Sequence, residues 1–251
     1  AESVVLLKNN GVLPLRKSAA TVAVVGPLAD APADQLGTWV FDGEPARSVT
    51  PLEAIQAVCG EGTRVISAPC LTYSRDKDPD GIKRAVESVA DADVILFFGG
   101  EEAILSGEAH SRADIALPGA QTDMLMALKN TGKPLVLTVM SGRPNTIGRE
   151  TELADALLIA FHGGTMAGPA LADVIFGNTV PSGKLPVTIP RMVGQIPIYH
   201  AHKSGGRPPK DIVLQDDIPV GAGQTSLGCT SYHLDAGDSP LFCFGRGLSY
   251  T

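Results

Sequence analysis

Short apolar runs alternate along the chain with segments whose apolar residues recur at helical spacing. The apolar runs predict strands, at residues 21–25, 64–67, 93–98, 134–140 and 156–159. The helically spaced segments predict helices, at residues 49–58, 80–90, 118–130, 147–153 and 166–176. Strands that are apolar throughout are covered on both faces, and strands alternating with helices are typical of a mostly parallel sheet. We therefore predict an α/β fold.

Three further segments extend this pattern. Residues 1–8 are typical of the end of a helix, and such a start suggests a piece of a longer chain. Residues 185–189 predict a sixth strand, at a sheet edge because Pro186 lacks the N–H that an interior strand donates. Residues 194–228 are rich in Pro, Gly, Lys and Asp without periodicity, and predict one long irregular loop.

Length and charge exclude several classes of function. A chain of 251 residues can bury a core without metals or disulfides. The formal net charge is -7 and the basic residues are scattered, which argues against a nucleic-acid partner. No apolar run approaches the roughly 18 residues of a membrane span. We expect neither nucleic acid nor membrane as a partner.

Cofactor signals are weak. Cysteines 59, 70, 229 and 243 lack the close pairs of a zinc site, so we expect no metal. Free thiols are one interpretation, and a disulfide between Cys229 and Cys243 in an oxidising compartment is the other. Gly26 lies where a dinucleotide fingerprint would begin, but Pro27 lacks an N–H for a phosphate. We expect no cofactor.

The richest chemistry lies in the loop after the strand at 93–98, where sites form in open α/β sheets. Glu108, His110, Arg112 and Asp114 share this loop, behind a Gly99-Gly100 break. An Arg112–Asp114 pair would brace the loop and leave Glu108 free for acid–base chemistry. His110 is an alternative acid or base because imidazole titrates near neutral pH. The spacing alone does not rank the two.

Two aromatic side chains follow other predicted strands. Trp39 is the only tryptophan and lies between Gly37 and Gly43. It either packs in the core or against a lid, or it offers a flat apolar platform to a sugar ring. His162 follows the fifth strand and either faces the same cleft or caps the next helix.

Several sequence blocks, in order, resemble the second, C-terminal domain of glycoside hydrolase family 3, and most of all its bacterial periplasmic β-glucosidase branch. The blocks span nearly the whole chain, at residues 2–9, 13–15, 22–30, 132–137, 141–144, 176–177, 181–186, 240–242, 244–245 and 247–250. The resemblance implies that residues 1–251 form one α/β sandwich domain. Its six-stranded sheet would have five parallel strands and one antiparallel edge strand.

The resemblance also implies retaining hydrolysis of β-glucosides or β-linked gluco-oligosaccharides. Residues 108–114 match the family loop whose Glu is the general acid/base, so this role falls on Glu108. Trp39 matches the family tryptophan that clamps the sugar on the leaving-group side. Neither His110 nor His162 receives a role.

One departure from the family pattern matters more than the others. The family's nucleophilic Asp lies in an N-terminal (β/α)8-type barrel, which this sequence does not contain. Retaining hydrolysis needs two carboxyl groups about 5–5.5 Å apart, and nothing marks Glu101, Glu102 or Asp114 as the nucleophile. We expect this chain to supply the acid/base half of a periplasmic or secreted enzyme, to need the barrel as partner and to be inactive alone. The alternative is a non-catalytic carbohydrate-binding or interaction module.

Overall fold

A six-stranded sheet forms the centre of the computed structural model, which describes residues 1–16, 21–68, 70–203, 205, 207–224, 228 and 230–250, with Glu61 as backbone only. The strands are β1 (Val5–Asn9), β2 (Thr21–Val25), β3 (Arg64–Ser67), β4 (Val94–Gly100), β5 (Leu135–Met140) and β6 (Ala156–Ile159). Their order across the sheet is β1-β6-β5-β4-β2-β3. Strands β2 to β6 pair in parallel, whereas β1 pairs antiparallel with β6 at the edge.

Helices cover both faces of the sheet. They are α1 (Pro51–Cys59), α2 (Pro79–Ser88), α3 (Gln121–Lys129), α4 (Gly148–Leu153) and α5 (Ala167–Ile175). One apolar cluster joins the sheet to α1 and α5, and a second joins its other face to α2 and α3. Every residue of β4 and β5 is buried, as strands with two covered faces require. The predicted α/β sandwich with one antiparallel edge strand is confirmed.

The prediction for residues 1–8 is wrong, because they lead into β1 rather than ending a helix. Val4 and Leu6 pack into one apolar cluster, and Val5 and Leu7 pack into the other. A short apolar run does not distinguish a helix from a strand by its period. The segment forms a strand because pairing with the free edge of β6 gives hydrogen-bond partners to its backbone N–H and C=O groups.

The strand predicted at 185–189 is also wrong. Only Ile189 makes a β-bridge, an antiparallel one to Phe242, and the segment does not join the sheet. The sheet edge beside β6 is already occupied by β1. The sixth strand therefore comes from the other end of the chain.

Side chains cap the first two helices. Thr50 caps α1 in a reciprocal capping box, in which the Thr50 side chain accepts from the Glu53 N–H and the Glu53 side chain accepts from the Thr50 N–H. Helix α2 begins one residue before the prediction, and its cap is Asp78, whose side chain accepts from the Asp80 N–H.

Within the described part of the 194–228 segment, regular structure is limited to short 3-10 turns at Val193–Gln195 and Gln215–Asp217. Cys229 lies outside the described residues, and so does the disulfide predicted for it. Cys59, Cys70 and Cys243 form no disulfide with one another. No helix in the described ranges has both the length and the apolar character to cross a membrane.

Candidate active site

The loops that follow β2, β4, β5 and β6 meet at one edge of the sheet, because the carboxyl ends of parallel strands point the same way. The Asp34 carboxylate, after β2, accepts from the Ala103 N–H after β4 at 2.9 Å. The buried Gln35 amide donates to Gly164 O, after β6, at 3.0 Å and to Val49 O at 3.1 Å. These bonds fix the loops to one another, so a site built from them is pre-organised.

Glu108 lies exposed in a tight turn. The His110 N–H donates to Gly107 O at 3.1 Å across the turn. Gly107 has a φ of 124° and Ala109 a φ of 61°, so backbone on both sides of Glu108 is in the left-handed half of conformational space. For alanine this conformation costs free energy, and such strain clusters at functional sites. The turn presents the Glu108 carboxyl to solvent.

Hydrogen bonds from Arg143, which pairs with the buried Glu101, hold this turn in place. Arg143 donates through Nε to Glu101 at 2.6 Å and through Nη2 to Leu105 O and, at 3.2 Å, to His110 O. The Glu101 side chain is 0% exposed. The Asn145 amide donates to Glu101 Oε1 at 2.8 Å and to Ile115 O at 3.0 Å. A buried carboxylate that is paired and fully hydrogen-bonded is tolerated, whereas an unpaired one is not.

The predicted ion pair between Arg112 and Asp114 is wrong, because each side chain has a different partner. Arg112 Nη1 forms its ion pair with Glu101, so it still ties the loop to the body. Asp114 instead accepts from the Ala116 N–H at 3.0 Å in a local turn. Arg112 pairs with Glu101 rather than Asp114 because a buried carboxylate needs a cationic partner, whereas the exposed Asp114 carboxylate is solvated by water.

Neither neighbouring glutamate is available as a second catalytic carboxylate. Glu101 is enclosed by two guanidinium groups. Glu102 accepts from Arg75 Nε at 3.0 Å and from the Ser74 hydroxyl at 2.7 Å. The Arg75 hydrogen bonds hold the pKa of the Glu102 carboxyl below its usual value. Of these three glutamates, only Glu108 has an exposed carboxyl without an arginine partner.

Trp39 projects from the loop after β2 with 62% of its surface exposed, next to Phe41, whose ring centroid lies 6.4 Å away. A core position for Trp39 is thereby excluded. The preceding Thr38 hydroxyl lies 2.8 Å from Ser106 O, so the tryptophan loop touches the start of the Glu108 turn. The structure places Trp39 and Glu108 on adjoining loops.

His162 is partly buried beneath the same loops. Burial lowers the pKa of His162, which favours the neutral imidazole. Gly142 allows its approach, because a Cβ there would lie 2.7 Å from both His162 Nε2 and Ser106 Oγ. His162 therefore belongs to the packing under the site.

Sequence reasoning did not find Glu101, Arg143 or Asn145. Residues 141–144 belong to a block that carries the resemblance, but nothing local reveals that Arg143 reaches back to a loop 38 residues earlier. A glutamate directly after an all-apolar strand was the available signal, since such a position is buried. In the described ranges, no group of three or more His, Cys, Asp or Glu side chains is arranged to hold a metal ion.

Comparisons with known proteins agree on one family. Residues 4–250 match the family model for the glycosyl hydrolase family 3 C-terminal domain. The chain is 42% identical over 270 residues to a periplasmic beta-glucosidase of Salmonella typhimurium, covering 100% of this chain and 34% of that protein. It is 34% identical over 257 residues to a beta-xylosidase of Formosa agariphila, covering 100% of this chain and 33% of that protein.

A solved structure, beta-glucosidase from Listeria innocua in complex with isofagomine, superimposes with a TM-score of 0.83 at 35% identity. The match covers 98% of this chain and 32% of that one. The chain thus spans about a third of the length of the relatives it matches.

Proposed function

The chain belongs to glycosyl hydrolase family 3, as its C-terminal domain, and from that premise we propose that it supplies the acid/base carboxyl, Glu108, to a β-glucosidase. The observation that carries the proposal is the contrast among the glutamates after β4. Glu101 and Glu102 are held by arginines, while Glu108 stands exposed on a braced turn. A group that exchanges protons with a bound substrate needs this combination of access and fixed position.

In the proposed reaction, the Glu108 carboxyl first donates its proton to the glycosidic oxygen as the bond to the leaving group breaks. The carboxylate then takes a proton from water, which attacks the glycosyl-enzyme and releases the sugar with retained configuration. Trp39 holds the leaving-group sugar by stacking against it. Its exposure and its contact with the Glu108 turn through Thr38 support this role.

The second carboxylate is proposed to lie outside this chain, on an N-terminal (β/α)8-type barrel. Two observations support this. The chain spans about a third of its relatives' length. Glu101 and Glu102 form ion pairs with arginines, so neither carboxylate is free to act as the nucleophile. A β-glucoside or β-linked oligosaccharide is the proposed substrate, and the periplasm or the exterior is the proposed location, as the name of the Salmonella relative suggests.

Glu108→Ala, made in the longer protein that we propose carries this chain, tests the assignment. Aryl β-glucosides with poor leaving groups depend on proton donation and should lose activity by about 10²–10⁴-fold. Activated substrates such as 2,4-dinitrophenyl β-glucoside should lose far less in glycosylation, and added azide should restore turnover by giving β-glucosyl azide.

Glu152→Gln, an exposed carboxylate change on α4, is the control and should behave as wild type. Equal losses on both substrates without azide rescue would reject Glu108 as the acid/base. Unchanged rates with all substrates would favour a module that only binds carbohydrate.

A further inference from the structure

We propose that Arg143, anchored by the buried Glu101, is a positioning residue that holds the Glu108 turn in the geometry needed for proton transfer. The inference rests on the acid/base role proposed for Glu108. It assigns a task to two charged side chains, Glu101 and Arg143, that the proposed proton transfer does not itself use.

Arg143 grips the turn at both ends. Its Nη2 donates to the carbonyl oxygens of Leu105 and His110, which lie three residues before and two residues after Glu108. Its Nε donates to Glu101 Oε2 at 2.6 Å. A planar guanidinium with fixed donor directions suits this task, because a lysine would offer a single mobile ammonium.

Glu101 gives Arg143 a fixed anchor. It directly follows β4, and its N–H donates to Met140 O of β5 at 2.9 Å. The opposite carboxylate oxygen, Oε1, accepts from Arg112 Nη1 and from the Asn145 amide, which also binds Ile115 O. Through Arg143, Arg112 and Asn145, the Glu101 carboxylate therefore connects the sheet with the catalytic loop at several points.

Such an anchor matters because proton donation is sensitive to placement. A misplacement of about 1 Å in a catalytic group can cost about 100-fold in rate. The turn contains Gly107 and Ala109 at positive φ, so it does not hold its shape through local preference alone. The bonds from Arg143 offset that strain and select one conformation.

The test compares Arg143→Lys and Glu101→Gln with wild type in the longer protein. Each variant is assayed on two aryl β-glucosides, one with a poor and one with an activated leaving group, using the same preparation. Loss of folded protein then cancels in the ratio of the two rates. We expect kcat/KM to fall about 10- to 100-fold more on the poor leaving group, through kcat with little change in KM.

Each substitution is then combined with Glu108→Ala. If Arg143 and Glu101 act through Glu108, the double variants should be about as slow as Glu108→Ala alone, because effects of residues that act as a unit do not add. Arg75→Lys is the matched control: it alters another arginine–glutamate pair at the same sheet edge, with Glu102 as partner, and should leave the ratio unchanged.

Equal losses on both substrates, or a full additional loss in the Glu108→Ala background, would show a general structural role and overturn the inference. The proposed function fails by a different result, namely a Glu108→Ala variant that is itself indifferent to the leaving group. The two failures are therefore separable in one set of assays.

Discussion

Glu101, Glu102 and Glu108 follow the same strand, yet their surroundings give them different roles. Glu101 is buried and forms ion pairs with Arg112 and Arg143, and Glu102 forms an ion pair with Arg75. Glu108 lies exposed on the turn, and no ion pair to an arginine forms there among the described residues. At the residue scale, function therefore depends on which carboxylate is left accessible. The types of residue in this loop were visible in the sequence, but their partners were not, since Glu101 and Arg143 are 42 residues apart.

Trp39→Ala should weaken binding of the leaving-group sugar. We expect KM for a β-linked disaccharide to rise about 10-fold, equivalent to ~1.4 kcal/mol. The variant should keep wild-type thermal stability, because the side chain is 62% exposed and surface substitutions change stability little. Steady-state kinetics and thermal unfolding of the longer protein check both parts.

β-Glucosyl fluoride provides the matched substrate, because its leaving group has no ring to stack, and its KM should stay near the wild-type value. Phe41→Ala removes the neighbouring aromatic ring, which is 91% exposed, and should have the smaller effect. A Trp39→Ala variant with unchanged KM for the disaccharide would remove Trp39 from the substrate site.

At the element scale, short charged contacts join the helices and strands that apolar packing brings together. Asp155, between α4 and β6, accepts from both Lys129 at the end of α3, at 2.9 Å, and the Leu135 N–H that opens β5, at 2.9 Å. The interior elements were predicted well because uniformly apolar runs alternate along the chain with segments of helical spacing. The errors fell on 1–8 and 185–189, where a short apolar run takes the structure that its neighbour offers.

Asp155→Asn should make stability less dependent on pH. Burial alone would raise the pKa of Asp155, but the Lys129 and Leu135 hydrogen bonds outweigh it and hold the pKa below its usual value. A depressed carboxyl pKa adds stability that is present above the unfolded-state value, about 3.9, and is lost as pH falls through the folded-state value.

The substitution should therefore lower the free energy of unfolding at pH 7 by about 1–2 kcal/mol, and by less at pH 3. Urea unfolding of the chain at the two pH values measures the difference. Asp91→Asn, at an exposed turn before β4, serves as control. An equal loss at both pH values would mean that the charge of Asp155 contributes nothing.

At the scale of the whole molecule, the chain has two apolar clusters on opposite faces of one sheet, and its candidate site lies at the sheet's carboxyl edge. Neither Trp39 nor Glu108 belongs to these clusters, so folding and substrate contact make separate demands on the sequence. A correctly built Glu108 turn is compatible with an absence of turnover, because retaining hydrolysis needs a second carboxylate.

We expect the isolated chain to fold cooperatively but to hydrolyse no aryl β-glucoside at a significant rate. Circular dichroism with thermal unfolding tests the first part, and a chromogenic assay on purified chain tests the second. Turnover by the pure chain that Glu108→Gln abolishes would contradict the proposed division of the active site.

The sequence by itself determined the α/β class, the parallel interior strands and the loop that carries Glu108, because these follow from local periodicity and from where polar residues interrupt apolar runs. Only the tertiary structure decided that residues 5–9 supply the edge strand, that Arg112 pairs with Glu101, and that Arg143 grips the Glu108 turn. Each of these joins residues far apart in the chain or settles a competition between partners. Such outcomes depend on which groups become buried together, and burial is a property of the whole fold.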